Sequence, residues 1–108
     1  MSLFEYDKEK IETAWKDILL ATHDFDTAKN VDDLVKLRQL VEHRFTAFEK
    51  ISSHLFAINP EIRNIQIPVK DGFVTYEACC KSQGWKIVEW LMQLQQIIDE
   101  QCKLQDCG

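Results

Sequence analysis

An apolar seam between residues 34 and 58 constrains the fold of this chain more than any other feature. Apolar side chains recur there every seven positions, at Leu34, Val41, Phe48 and Leu55. A second series occupies the matching partner positions, at Leu37, Ile51 and Ile58. Two interleaved seven-residue series give a helix one stripe to bury against another helix. We therefore predict one long packing helix that forms the centre of a helical bundle.

Capping residues delimit this helix and its neighbours. Asn30 is a suitable N-cap for the long helix, and Pro60 ends it because the residue before a proline is pushed out of helical geometry. A first helix is predicted from Ser2, with Glu5 completing a capping box, to about residue 23. A last helix is predicted over about residues 78–105, or only from Ser82 onward.

Residues 59–77 break the helical period. Isoleucines at 65 and 67 and Val69 alternate with other residues, and Asp71-Gly72 precedes a second β-prone run. An Asp-Gly pair between two such runs is a strong hairpin signal. We expect a short β-hairpin or an extended crossover at about 62–76. The predicted fold is mainly α: residues 1–108 form a single helical domain, a three-helix antiparallel bundle with a long second helix.

Arg44 occupies a seam position where the repeat favours an apolar residue. Two arrangements accommodate a guanidinium there. The aliphatic stem can carry the charge to the edge of the seam, or the charge can meet a carboxylate across an interface.

The acidic charge is confined to the first third of the chain. The net charge is −5, and residues 1–33 hold nine acids against four lysines, whereas the acids and bases of residues 34–108 cancel. Such a face would repel a phosphate backbone, which argues against nucleic-acid binding. The face is either a solvated helix surface or a docking surface for a basic partner, such as a protein that the chain engages as a nucleic-acid mimic.

The cysteine pattern and the N-terminal composition indicate the cytoplasm. Residues 1–18 lack the uninterrupted apolar stretch of a signal peptide, and no segment approaches the ~20 apolar residues of a membrane span. Cys79 and Cys80 are adjacent, and Cys102 lies 22 residues further on, about 33 Å away if the helix is continuous. That distance rules out a disulfide within one helix. We expect free thiols in a reducing compartment.

One pair on the second helix suggests an enzymatic alternative. Arg38 and His43 form an Arg-x4-His spacing that resembles the motif of HEPN domains, small all-helical ribonucleases in which arginine and histidine act on RNA at a dimer interface. The resemblance covers six residues, and Gln39 stands where that family usually has another short polar residue. It would make Arg38 and His43 the catalytic residues.

Metal and cofactor motifs are missing from the sequence. There is no His-x-x-x-His or Cys-x-x-Cys pair, and three glycines are too few to build a phosphate-binding loop. We therefore predict no metal site and no cofactor.

The aromatic residues before and within the last helix are candidates for a partner surface. Trp85 and Trp90 are five residues apart and point to different sides of a helix, so we expect one to be core and the other partly exposed. Tyr76 and Phe73 lie close by in sequence. Either these side chains cap the end of the bundle, or they contact another protein, as Trp and Tyr often do.

The sequence favours a small acidic, non-enzymatic protein–protein interaction module, acting as a regulator, inhibitor or adaptor. Its predicted partner-binding residues are Glu9, Glu12, Asp17, Tyr76 and Trp85. We also expect a homodimer, because the long second helix overhangs its shorter neighbour and leaves seam uncovered. The alternatives are the HEPN-like ribonuclease and a structural subunit of a larger assembly.

Overall fold

A computed structural model describes the backbone of residues 3–106 and the side chains of residues 6–104. Helix α1 spans Leu3–Thr22, a 3-10 helix spans His23–Thr27, and helix α2 spans Val31–Ile58. They are followed by a one-turn helix α3 (Pro60–Arg63), strands β1 (Gln66–Val69) and β2 (Gly72–Thr75), and helix α4 (Tyr76–Asp106). The fold is mainly α with a hairpin before the last helix, as predicted. The predicted cap at Ser2, the Glu5 side chain and Cys107 lie outside the described residues.

The seam of α2 is covered by α1 and by α4. The Trp15 ring of α1 packs against Phe48 with centroids 5.6 Å apart, and the Tyr76 ring of α4 meets Phe56 edge-on at 6.1 Å. Four seam residues are buried: Leu37, Val41, Phe48 and Leu55. As residue numbers rise along α2, its contacts move to lower residue numbers on α1 and on α4. Helix α2 is therefore antiparallel to both. The overhang is small, since Ile58, at 61%, is the only seam residue that is mostly exposed.

Arg44 joins α2 to α1. Its Nη1 donates a hydrogen bond of 2.7 Å to the backbone carbonyl of Asp17. The acceptor is a main-chain oxygen, which neither of the sequence-based arrangements included. The half-buried guanidinium therefore replaces one seam contact with a polar link between the two helices.

Asn30 caps α2 as predicted. Its side-chain oxygen accepts a hydrogen bond of 2.9 Å from the Asp33 amide, and the Asp33 carboxylate accepts one of 3.1 Å from the Lys29 amide. The first bond satisfies an amide that the first turn of a helix leaves without a partner, and the second fixes the residue before the cap.

The Asn30 cap can be tested by removing its side chain. Asn30→Ala should lower the free energy of unfolding by about 1 kcal/mol, because the Asp33 amide loses its acceptor. Urea denaturation followed by circular dichroism measures the change. Asn64→Ala is the control, since Asn64 is exposed and its side chain donates only to the nearby Pro60 carbonyl. Equal losses in the two variants would contradict the assignment.

Residues 59–76 combine the predicted hairpin with an unpredicted helical turn. Pro60 begins α3, and Ile62 from this turn is fully buried. The strands pair antiparallel from Gln66↔Thr75 to Val69↔Gly72. Gly72 has φ +140, and no described non-glycine residue has a positive φ. A type I′ turn needs a positive φ at both of its central residues. Asp71 keeps a negative φ and only Gly72 has a positive one, so the Asp-Gly pair does not form the type I′ turn of the usual hairpin signal.

Helix α4 begins two residues earlier than predicted. The Thr75 hydroxyl accepts a hydrogen bond of 3.1 Å from the Ala78 amide, so Thr75 acts as its N-cap. The Tyr76 amide in turn donates to the Ile65 carbonyl at 2.8 Å, which closes the base of the hairpin. The hairpin is thereby joined directly to the start of the helix.

The molecule is elongated. Its extents are 58 × 29 × 21 Å and its radius of gyration is 17.0 Å, whereas a compact domain of this length has a radius of about 13 Å. Long grooves between the helices therefore remain on the surface.

Candidate protein-binding surfaces

Two of the predicted acidic residues border one groove between α1 and α2. This α1–α2 groove has a volume of about 350 Å³ and is lined by Tyr6, Glu9, Lys10, Thr13, Ala14, Asp17 and Ile51. Ala14 and Ile51 supply apolar surface, and Glu9 and Asp17 are exposed beside it. Neither carboxylate forms an ion pair with the part of the chain that the structure describes. The groove thus combines an apolar floor with two carboxylates that form no ion pair, against the single positive charge of Lys10.

Glu12 and Tyr76 lie together at a different place. Glu12 forms an ion pair of 3.5 Å with Lys8, and the Lys8 Nζ lies 5.7 Å from the centre of the Tyr76 ring. Tyr76 is only 7% exposed. Its side chain therefore fastens the start of α4 to α1 and α2, and offers little surface to a partner.

Beneath this corner, Tyr76 and Cys80 form a buried titratable pair. Burial, followed by the charge on Cys79, raises the pKa of the Cys80 thiol from 9.0 to about 12, although a hydrogen bond from Tyr76 partly offsets the rise. Burial, followed by the charge on Cys80, also raises the pKa of the Tyr76 hydroxyl. Both groups are neutral in the folded protein at neutral pH. A thiol of this kind is a poor nucleophile, because the thiolate is the reactive form.

Trp85 lies on the edge of a second groove. This α2–α4 groove has a volume of about 630 Å³, and its apolar lining includes Phe45, Phe48, Phe56, Trp85 and Val88. Trp85 is 65% exposed, whereas Trp90 packs its half-buried ring edge-on against Phe25 at 6.5 Å. The expectation of one core and one partly exposed tryptophan is met only in part, because Trp90 packs against the core but is itself half-buried. The Trp85 side chain is thus a large apolar group that the described residues cover only in part.

Charges of both signs stand at the edge of the α2–α4 groove. The Glu77 carboxylate forms ion pairs with Arg63 at 3.3 Å and with Lys81 at 3.6 Å. Glu49 is the remaining charged lining residue. Two acids and two bases therefore balance, in contrast to the α1–α2 groove.

Phe45 and Gly84 also line the α2–α4 groove, although no sequence pattern marked them as a pair. A Cβ atom added at Gly84 would lie 3.4 Å from the Phe45 ring. Glycine is unfavourable inside a helix, yet α4 continues through Gly84. This glycine is the only sequence signal that another group packs closely against α4 there. What approaches is an aromatic ring from α2.

Arg38 and His43 line neither of the two grooves. Arg38 Nη1 is bonded to Glu42 at 2.7 Å, while its Nε is buried without a hydrogen-bond partner. His43 is exposed. Five residues of helix separate the two directions by about 140°, so within one chain the side chains do not converge.

Among the residues the structure describes, no three histidine, cysteine or acidic side chains are grouped to hold a metal ion. Cys79, Cys80 and Cys102 are free thiols, as predicted for these three. No helix within residues 3–106 combines the length and apolar character needed to cross a membrane.

Comparisons with protein-family models, with curated proteins and with solved structures found no match for this chain.

Proposed function

We propose that this chain is a small acidic protein–protein interaction module without enzymatic activity, acting as a regulator, inhibitor or adaptor. Its partner presents a basic segment with apolar side chains. The α1–α2 groove is the proposed docking site, with Glu9 and Asp17 contacting the basic groups. Ile51 and Ala14 supply the apolar contact.

The observation that carries this proposal is the pair of carboxylates without ion-pair partners beside an apolar floor, where they outnumber the one lysine, Lys10. Glu9 and Asp17 are eight residues apart on one helix, which places them two turns and about 12 Å from each other along α1. A basic helix laid in the groove can meet both carboxylates, because its own side chains repeat every turn. Negative potential on this face also speeds the approach of a basic partner.

The other predicted contact residues have supporting roles in this proposal. Glu12 adds to the negative field of α1, although Lys8 neutralises part of it. Tyr76 keeps α1 and α4 together from beneath the surface. Trp85 belongs to the α2–α4 groove and lies outside this docking site. The proposed setting is the reducing cytoplasm, where free cysteines persist.

Charge reversal on α1 tests the proposal. The full chain carrying Glu9→Lys and Asp17→Lys should bind its cellular partner at least about tenfold more weakly than the natural chain, a loss of about 1.4 kcal/mol. Binding by the natural chain should also weaken with added salt, because the contacts are exposed. Affinity capture from the source cell, followed by titration of the captured protein, measures both effects.

A matched variant controls for net charge. Glu61→Lys with Glu100→Lys makes the same change of four charge units on two exposed acids outside α1, and it should retain the partner. Equal binding by both double variants would contradict the docking site. The ribonuclease alternative predicts cleavage of mixed RNA by pure protein that disappears in His43→Ala, and that result would overturn a non-enzymatic function.

A further inference from the structure

We infer that the Tyr6 ring is a binding site for an arginine side chain of the partner, and that Lys10 of this chain occupies that site in the unbound protein. The inference rests on the proposed function, because it concerns the same α1–α2 groove. It adds the chemical identity of one contacting group and an internal contact that limits the affinity.

A cation already lies on the Tyr6 ring. The Lys10 Nζ is 4.5 Å from the ring centre, well inside the ~6 Å over which the face of an aromatic ring attracts a cation. Both residues line the α1–α2 groove, and Tyr6 is 52% exposed. The ring is therefore accessible to a partner in the groove and suited to bind positive charge.

Lys10 makes this contact in place of an ion pair. Among the described residues, no carboxylate lies within ion-pair distance of its ammonium group. Tyr6 is about one turn before Lys10 on α1, whereas Asp17 is about two turns after it. The ammonium group is thus held toward the start of α1 by a single exposed cation–π contact. Such a contact is weak, so a cation of the partner can displace it.

Arginine is the side chain best suited to replace Lys10. Its planar guanidinium stacks on an aromatic face and is less strongly hydrated than an ammonium group, so it loses less on leaving water. Its several N–H donors also allow it to bond a carboxylate at the same time. Glu9 is three residues after Tyr6, which makes the two side chains neighbours on the surface of α1. The Tyr6 ring and the Glu9 carboxylate therefore form one arginine site, and Asp17 remains for a second basic group.

Two synthetic peptides test the preference for arginine. Both are amphipathic helices of about 20 residues, with leucines along one face and basic residues two helical turns apart beside them. All basic residues are arginine in one peptide and lysine in the other, so the net charges are equal. Titration calorimetry with the full chain should give about three- to fivefold tighter binding of the arginine peptide. Tyr6→Leu should remove most of that difference.

Lys10→Gln tests the internal contact, with the arginine peptide as ligand. Removal of the competing ammonium group should lower the dissociation constant about three- to fivefold. Lys16→Gln is the matched control, because Lys16 is exposed on the same helix but does not line the groove. The same loss of one charge there should change the dissociation constant by less than about twofold at physiological salt. In a Tyr6→Leu background, Lys10→Gln should have no more effect than Lys16→Gln.

Proton NMR observes the displacement directly. In the unbound chain the ε-methylene protons of Lys10 should resonate upfield of those of Lys16, because the ring current of Tyr6 shields protons above its face. Saturation with the arginine peptide should remove this upfield shift, and so should Tyr6→Leu. Circular dichroism verifies that every variant is folded.

The outcomes separate this inference from the proposed function. Suppose that the double variant Glu9→Lys with Asp17→Lys loses the peptides, but the two peptides bind the natural chain equally or Lys10→Gln acts like Lys16→Gln. Only this inference is then overturned. It is also overturned if the effect of Lys10→Gln persists with Tyr6→Leu, since charge alone then explains it. If neither peptide binds the natural chain, or both bind the double variant unchanged, the proposed function fails as well.

Discussion

Phe48→Ala should lower the free energy of unfolding by about 3–5 kcal/mol. Phe48 is 2% exposed in the middle of α2. On one side it packs against the Trp15 ring of α1, and on the other it forms part of the α2–α4 groove. Alanine would leave a cavity between α1 and α2 that rigid helices cannot fill. The loss is a large part of the 5–15 kcal/mol that stabilises a typical domain.

Chemical denaturation followed by circular dichroism measures this change. Chain concentration is kept equal for all variants, so that any association of chains would affect their apparent stabilities equally. Phe73→Ala, which removes the same ring from the surface of the hairpin, should change stability by less than about 0.5 kcal/mol. A cost below about 1 kcal/mol for Phe48→Ala would show that α1 and α2 do not pack around this ring.

The second large effect is a loss of stability at alkaline pH caused by the buried Tyr76–Cys80 pair. The pKa of Cys80 rises from 9.0 in the unfolded chain to about 12 on folding, and the pKa of Tyr76 is also raised above its usual value. Above pH 9 the unfolded chain therefore loses protons that the folded chain retains. The stabilising contribution of the two groups is fully present below their unfolded pKa values. It falls as pH rises, by up to about 1.4 kcal/mol per pH unit for each group.

Denaturation curves at several pH values test this dependence. Between pH 9 and pH 11 the natural chain should lose about 2 kcal/mol to Cys80 alone, and Tyr76 should add to the loss. Cys80→Ala and Tyr76→Phe should each lose less over the same interval, relative to their own stability at pH 7. Ile87→Val is the control, since it trims a buried, non-titrating side chain of the same helix. Parallel curves for all four proteins would contradict the role of the pair.

The helices and the hairpin follow from local chemistry and could be predicted. The α2 seam repeats over several turns, Asn30 caps the start of the helix, and Pro60 prevents its continuation. Each end of α2 is therefore determined by residues within a few positions of it. The start of α4 was predicted too late because Thr75 has two local roles. It ends a β-prone run, and its hydroxyl also caps the helix. The sequence pattern revealed only the first role.

Burial of individual aromatic residues could not be predicted in the same way. Tyr76 and Trp85 are both aromatic, but α1 and α2 cover the Tyr76 ring, whereas Trp85 is 65% exposed. The α2–α4 groove arises because Phe45 and Gly84, 39 positions apart, meet across two helices.

The amino-acid order alone therefore indicates the helical segments, the hairpin and the acidic N-terminal third, since each depends on residues close together in the chain. The packed helices were needed to show that Glu9 and Asp17 border an apolar floor, that Glu12 is paired, and that Trp85 stands over an open groove. Those properties depend on how α1 and α4 are placed against α2. Short-range periodicity does not encode that placement, because it reports which face of a helix is apolar and not which side chain of another helix covers it.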